Sequence, residues 1–447
     1  MIRARKIAWA WAPPLVLAAL LGWSAPPWPD DWDGLGFLES IDHFDMDRFA
    51  PHPPGYPVYV ALLRLAAVVF RDPMHAAIAV SVASGIVVFV CARSVTAQWG
   101  ELAASLIAAA VVGSPLAWRA FTAVGSEAPA LALVAIAYWA IRGRRLTFAA
   151  VALGLALGVR LSWAPLLLAM PMLITSRARP RAFLVMTLSV LSWLVPLLAI
   201  VGPRHLVEIY GVHFAGHAQR WGGTALADPL PIGRLALFAR DIFVDGIGVD
   251  SDVVGVALAV VLVLVIAVIV QGRGLSRTGT LAAIGAPYAL WIFVGQNLRD
   301  QPRHALPLVV ATIAVVGVGA ARAQALKLAL PLLGLMLTRT IMDGYDRRTT
   351  PPAGEQLVTY LRSHPRDVVF GSASVRFFAR TNIAYCAFPA ETRGDVEIAL
   401  TRMAHLPERV LVTSEVSDMD TAPIVVEFCR PARIDRKRAC LALHVLD

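Results

Sequence analysis

Seven carboxylates, Asp30, Asp31, Asp33, Glu39, Asp42, Asp45 and Asp47, fall within eighteen residues of the sequence, and a proline-rich turn, His52-Pro53-Pro54-Gly55-Tyr56-Pro57, follows that run. A carboxylate can accept a proton from an attacking hydroxyl or amine. The plain reading of so many acids is a solvated face. Three prolines around one glycine, however, fix φ and allow one sharp bend, which makes a stiff elbow instead of a loose linker. A rigid turn beside acids points to a preorganised site. More residues with chemistry lie further on. They are Glu127 in Gly125-Ser126-Glu127-Ala128-Pro129, Arg160 after Gly154-Leu155-Ala156-Leu157-Gly158-Val159, and Arg303 and His304 in Gln301-Pro302-Arg303-His304-Ala305-Leu306-Pro307, with Arg299 as a competitor of Arg303.

Each of these residues has a structural reading beside the chemical one. Glu127 would cap the helix that begins near Pro129, as an acid favoured by the helix dipole, or act as a second carboxylate that orients an acceptor or a bound cation. Arg160, Arg303 and His304 would snorkel to lipid headgroups or offer donors to a phosphate, for which a guanidinium fork is well shaped. His52 would donate to a substrate or only brace its own loop. Tyr56 and Tyr59, with Trp23, Trp28 and Trp32, read as an interfacial aromatic belt ahead of a sugar platform. Histidines 213 and 217 would share a helix face, the spacing of a metal pair, without the fixed carboxylate motif that completes such a site. Trp221-Gly222-Gly223 beyond them reads as a mobile cover.

The elements that position these residues are membrane helices. The chain has 447 residues, 57% hydrophobic and 16% charged, with a mean hydropathy of +0.65, against roughly 25% charged residues in a soluble domain. Soluble, disordered and fibrous classes are excluded. Apolar blocks near 7–23, 73–91, 101–117, 128–141, 146–160, 161–175, 182–201, 253–270, 279–295, 304–320 and 325–341 predict about eleven transmembrane helices. The pair 146–160 and 161–175 reads as a tight hairpin or one long tilted helix, and 58–70 as an interfacial helix.

Lys and Arg concentrate in alternate breaks: Arg3/Arg5/Lys6, Arg93, Arg142/Arg144/Arg145, Arg177/Arg179/Arg181, Arg273/Arg277 and Arg322/Lys327. That asymmetry predicts a cytoplasmic amino terminus and an extracytoplasmic first loop and tail. The formal charge of +9 is therefore a topology signal, and no nucleic-acid partner is implied. The tail, 343–447, turns to mixed charge and short alternating runs and predicts a small extracytoplasmic α/β domain after the all-α polytopic module of 1–342. Cys386, Cys429 and Cys440 lie in it. A Cys429–Cys440 bridge would be easy to close on an oxidising side, whereas Cys91 reads as an inert packing residue. No nucleotide-binding glycine loop or zinc spacing is present.

The acid pair Asp31/Asp33 just after the first span, the His52-Pro53-Pro54-Gly55-Tyr56-Pro57-Val58-Tyr59 elbow, Glu127 and the Gln301–Pro307 stretch together resemble the GT-C superfamily of multi-spanning glycosyltransferases, which includes protein O-mannosyltransferases and aminoarabinose transferases. The likeness in layout covers about residues 1–341. It implies a cell-membrane enzyme that moves a sugar, with inversion, from a polyprenyl-phosphate donor to a lipid, glycan or protein acceptor at the extracytoplasmic face. Asp33 would be the base with Asp31 as the alternative, and Glu127 the second acid. His52, Tyr56, Arg160, Arg303 and His304 would contact substrate. No cofactor is fixed, though a divalent cation is compatible. A secondary transporter or flippase of lipid-linked sugars would instead place its charges near midplane in matching halves, and a non-catalytic envelope assembly subunit would use the tail to bind a partner.

Overall fold

The protein is described by a computed structural model covering residues 2–220, 223–226, 231–248, 275–298, 301–322, 324, 326–371, 387–390, 392–403, 407, 409–417, 423–430 and 440–446. The expected span at 253–270, Trp221-Gly222, Arg299 and Cys386 lie outside these residues. Helices follow one another almost without interruption: α1 Ile2–Ser24, α2 Trp32–Glu39, α3 Pro57–Phe70, α4 Pro73–Thr96, α5 Glu101–Gly113, α6 Pro115–Thr122, α7 Glu127–Arg142, α8 Leu146–Val159 and α9 Ala164–Ala169. Beyond them run α10 Arg179–Val201, α11 Pro203–Ala215, α12 Pro231–Arg240, α13 Leu275–Gly295, α14 Leu306–Arg322 and α15 Leu326–Thr349.

Among the described residues three helical stretches are long and apolar enough to cross a bilayer: Pro73–Trp99, Arg179–Val201 and Pro302–Arg322. A fourth forms if Glu101–Gly113 and Pro115–Thr122, bent by 69°, count as one. Several other apolar helices, Pro57–Phe70 and Leu146–Val159 among them, are shorter, and breaks in the sequence account for the interruptions. Proline cannot donate the helical hydrogen bond and clashes with the preceding turn, so Pro115 starts a new helix after Gly113. At 146–175 neither a tight hairpin nor one continuous helix describes the chain. Arg160 is extended (φ −151°, ψ 91°) and breaks the helix at Val159, and Leu161–Trp163, α9 and Met170–Leu173 continue as short helical pieces. A helix broken at an arginine holds the guanidinium where backbone groups also need polar partners.

Close helix packing rests on small residues. α4 lies at the centre, against α1, α3, α5, α6 and α7. At Gly85 a Cβ would stand 2.9 Å from both Leu21 Cδ1 and Phe121 Cγ. Gly154 and Gly158, one helical turn apart on α8, seat α10: a Cβ at Gly154 would lie 2.5 Å from Ser189 Cβ, and one at Gly158 2.8 Å from Trp193 Cε2. Trp193 Nε1 donates to Gly154 O at 2.9 Å and Ser189 Oγ to Val151 O at 3.0 Å, which locks the register.

The tail forms α16 Ala353–Ser363, β1 Asp367–Gly371, β2 Ala387–Pro389, α17 Arg393–Thr401, β3 Arg409–Thr413, β4 Ile424–Cys429 and β5 Cys440–Leu446. The sheet order is β2-β1-β3-β5-β4, with β1 parallel to β2 and β3 and the last two pairings antiparallel. Period-two alternation sends Val369, Leu411 and Leu443 to one face with Leu357 and Leu361 of α16, and Phe370 and Val412 to the other with Val396 of α17. The helical and strand segments expected at 355–363, 367–370 and 409–412 are therefore present. Cys429 and Cys440, directly opposite on β4 and β5, form a disulfide, and Cys91 is a buried free thiol.

Two measurements check this account. Gly158→Leu forces α8 from α10, an overpacking cost of about 1–3 kcal/mol, and should lower the thermal midpoint in lipid nanodiscs while Gly211→Ala, which meets nothing within 4 Å, should not. The double substitution Cys429→Ser/Cys440→Ser removes a cross-link closing a short loop, worth about 3 kcal/mol in the chain-entropy account. The sheet domain should then lose protease resistance first, to the same degree as wild type under reductant.

Candidate active site

α2 is short and amphipathic, and it is fixed at both ends. Asp31 is its N-cap, accepting from Gly34 N at 2.9 Å, and Arg64 of α3 donates to Ser40 O at 3.0 Å and Ile41 O at 2.9 Å beyond its last turn. These contacts satisfy groups that a helix terminus leaves orphaned. At Gly36 a Cβ would lie 2.3 Å from Phe49 O, so the following loop can pack on the helix only because that side chain is absent. Asp33, 4% exposed, points into the helical module, whereas Leu35 packs into the sheet's core.

The elbow takes the shape its prolines suggest. The Ala50–Pro51 and Pro53–Pro54 bonds are cis, Gly55 has φ +88°, and Pro57 opens α3. His52 is turned inward at 8% exposure. Its Nδ1 lies 3.6 Å from Asp33 Oδ1, and its Nε2 meets Tyr56 Oη at 2.8 Å. Burial lowers the His52 pKa and outweighs the opposing pull of Asp33, so the imidazole is biased to its neutral form. Tyr56 and Tyr59 are not part of an aromatic belt. Both are buried edge-on against Phe37, with ring centroids 4.9 and 4.8 Å away, because α3 turns its first face to the core. Trp23 stays half exposed.

Three acids from two distant loops meet two arginines. Arg303 Nη1 stands 3.4 Å from Asp31 Oδ2, Nη2 contacts Asp33 Oδ2, and Nε lies 3.4 Å from Glu127 Oε1. Arg160 Nη1 reaches Glu127 Oε1 at 2.9 Å and accepts company from Ser126, donating to its Oγ at 2.8 Å. Glu127, first residue of α7, does not act as a cap alone: it bridges the two arginines, and its helix start only delivers it. Arg160 does not snorkel to headgroups either, being 5% exposed and set 5.9 Å over the Trp163 ring. His304 lies within electrostatic reach of Arg160, Arg303, His217 and Asp33, and its carbonyl accepts from Tyr288 Oη at 2.8 Å. Thus Asp31, Asp33, Glu127, His52, Arg160, Arg303 and His304 occupy one neighbourhood, and Tyr56 serves it through His52.

One part of the cluster had only a weak signal in the sequence. His213 of α11 and His217 just past it bring their Nε2 atoms within 3.2 Å, and the His213 ring centre is 6.4 Å from that of His52. The shared helix face was legible, but the approach of α11 to the elbow was not. It is held by Tyr210 Oη donating to Pro54 O at 2.9 Å and by His205 Nε2 against Asp47 Oδ2 at 2.8 Å. Burial, then His217 and His52, push the His213 pKa down to about 3.

Several buried polar atoms here make no well-aligned hydrogen bond, His52 Nδ1, Glu127 Oε1, Arg160 Nε and Arg303 Nε, although Glu127 Oε1 is ion-paired with both arginines and His52 Nδ1 faces Asp33. The carboxylates also outnumber the guanidiniums by one. Removing Glu127 would leave Arg160 and Arg303 facing each other with less compensation. Glu127→Ala should therefore cost about 3–5 kcal/mol, read as a lower thermal midpoint, with Glu127→Gln closer to wild type because its amide oxygen still accepts.

No family model and no curated protein matches the chain. Solved structures do. ArnT from Cupriavidus metallidurans bound to undecaprenyl phosphate aligns over 100% of this chain and 98% of its own at 11% identity and a TM-score of 0.53, and its apo state over 99% and 98% at 12% and 0.51. An Archaeoglobus fulgidus oligosaccharyltransferase, solved in complex with zinc and sulfate, aligns over 90% of this chain and 68% of its own at 12% and 0.52. Identities this low speak for architecture, and they agree with the helical module and its appended sheet: the chain is an integral membrane protein that shares its fold with ArnT and with the archaeal oligosaccharyltransferase.

Proposed function

We propose that the protein is a glycosyltransferase that moves a sugar from a polyprenyl-phosphate carrier to an acceptor hydroxyl or amine, with inversion, at the extracytoplasmic face. The observation that carries this reading is the buried charge cluster itself: Arg303 within reach of Asp31, Asp33 and Glu127, Arg160 paired with Glu127, and His52 3.6 Å from Asp33. The Cys429–Cys440 disulfide supports an oxidising compartment for the tail. Both ArnT structures come from an enzyme with this fold, one of them with undecaprenyl phosphate bound.

The chemistry follows from the charges. The acceptor oxygen or nitrogen attacks the anomeric carbon from the face opposite the phosphate. The carbon–oxygen bond to phosphate breaks, and the electron pair leaves with the polyprenyl phosphate. The acceptor's proton passes to Asp33. Of the two early acids, Asp31 has one oxygen committed to the cap of α2, whereas Asp33 faces Arg303 and His52. An arriving donor phosphate competes for Arg303. Once the guanidinium turns its fork to the phosphate, Asp33 loses a cation and becomes a stronger base, so donor binding itself prepares the proton acceptor. Arg160 and Arg303 stabilise the charge that develops on the leaving phosphate, and no protonating acid is required there.

A divalent cation would find protein ligands in His213 and His217, whose 3.2 Å separation suits two nitrogens on one tetrahedral ion. It would add positive charge near the leaving phosphate. Among the described residues no third ligand completes that pair, and the transfer outlined here rests on the chain's own carboxylates and guanidiniums.

Purified protein in nanodiscs, given a panel of radiolabelled undecaprenyl-phosphate sugars and a membrane extract as acceptor source, should move label from lipid to acceptor. Asp33→Asn should reduce turnover by about a thousandfold or more while keeping donor affinity, and Arg303→Ala should weaken both. Full activity in Asp33→Asn would remove it as the base. Donor binding without any transfer by wild type would favour a flippase.

A further inference from the structure

The tail is more than an appendage, because the segment that aims Asp33 is held partly by the sheet. Asp30 immediately precedes the cap of α2. Its carboxylate is gripped from two sides. Arg347, near the end of α15 and 1% exposed, sets its fork on both Asp30 oxygens, and Arg430, the residue after β4, reaches Asp30 Oδ1 at 3.0 Å. The same Arg347 donates through Nη1 to Thr122 Oγ1 at 2.8 Å, on the helix that leads into the Glu127 loop. Burial alone would raise the Asp30 pKa, but Arg347, Arg430 and Arg119 hold it well below the usual carboxylate range. The carboxylate is therefore ionised, and the grip is charged.

Arg430 is itself well anchored. It follows Cys429, which is bridged to Cys440 and whose carbonyl accepts from Gln356 Nε2 at 3.1 Å. Arg347 already pairs with Asp30, and Arg119 and the buried Asp343 lie within electrostatic reach of the same group. Burial disfavours the charge on Arg430, and bringing two guanidiniums to one carboxylate adds repulsion. What Arg430 contributes instead is a link between strand β4 and the turn that starts α2. An apolar link runs in parallel: Leu35, with Trp32 and Phe49 beside it, is part of the sheet's core with Leu357, Leu411 and Leu443. An eight-residue helix has no stability of its own. The direction of Asp33 is therefore set by contacts at both of its neighbours, Asp30 behind and Leu35 ahead.

We propose that Arg430 is a positioning residue: through Asp30 it fixes the first turn of α2 so that Asp33 faces the transfer site, which makes the C-terminal sheet a working part of that site. This rests on the transferase reading above. The full-length protein in nanodiscs would be compared as wild type, Arg430→Gln and Arg430→Lys. Measured would be kcat and KM for undecaprenyl-phosphate sugar, thermal midpoint, and amide hydrogen exchange over 32–39.

With Gln, kcat should fall at least about tenfold with KM within about twofold, since Arg160 and Arg303 are untouched, and exchange in α2 should quicken by a similar factor. Lys, which keeps the charge, should restore most of both, with the thermal midpoint near wild type throughout. An unchanged kcat in Arg430→Gln would overturn the proposal. So would an equal loss in Gln and Lys that tracks a fallen midpoint, the mark of a staple for folding alone. Should wild type turn over no donor, the transferase reading fails separately and hydrogen exchange still decides: faster α2 exchange in Gln with rescue in Lys supports positioning, and no change overturns it.

Discussion

Arg303 stands within reach of three carboxylates, Asp31, Asp33 and Glu127, and a second arginine, Arg160, shares the last of them. In a bilayer-embedded protein such a cluster is expensive to assemble, because each ion gives up its hydration and regains it only through partners held in good geometry. The cost constrains everything around it. Helix α8 must break at Arg160, α7 must begin at Glu127, α2 must turn Asp33, with Phe37 one turn on, toward the helical module, and the span starting at Pro302 must open with Arg303 at its head.

The packing answers that constraint with small residues and short helices. Gly154 and Gly158 let α10 approach α8 closely enough to hold the break at Arg160 in place. Gly36 lets the loop after α2 come down on the helix, and the turn at Gly55 accompanies the inward placement of His52. The eight-residue α2 would not be stable alone in water, so the cluster and its scaffold stabilise each other there. With three carboxylates and two guanidiniums, the cluster leaves Arg303 shared among Asp31, Asp33 and Glu127 and not committed to a single partner.

The sheet domain enters the same logic through its edge. Its strands are ordinary alternating ones, yet its core reaches across to Leu35, and the residue after its disulfide reaches Asp30. A domain that shares core residues with a short helix is coupled to it by that packing. The two modules are therefore best regarded as one mechanical unit around the first loop.

Much was legible in the residues themselves. Composition and apolar block length determine that the chain lives in a membrane; Pro and Gly content determine that the segment 52–57 bends stiffly; and short alternating runs of mixed charge point to the strands at 367–370 and 409–412, each of which runs one residue further in the structure. These are local properties, set by backbone sterics and side-chain solvation within a few residues. What only tertiary structure decided is long-range. Glu127 bridges arginines instead of merely capping a helix, Tyr56 and Tyr59 sit in the core and not in a belt, Arg160 ends a helix, and His213 and His217 come beside His52. Each of those outcomes depends on which distant element supplies the opposite charge or covers the apolar face. One sequence carries no pairing information between residues 30 and 430, so Coulomb attraction and burial could settle that choice only once the helices had packed.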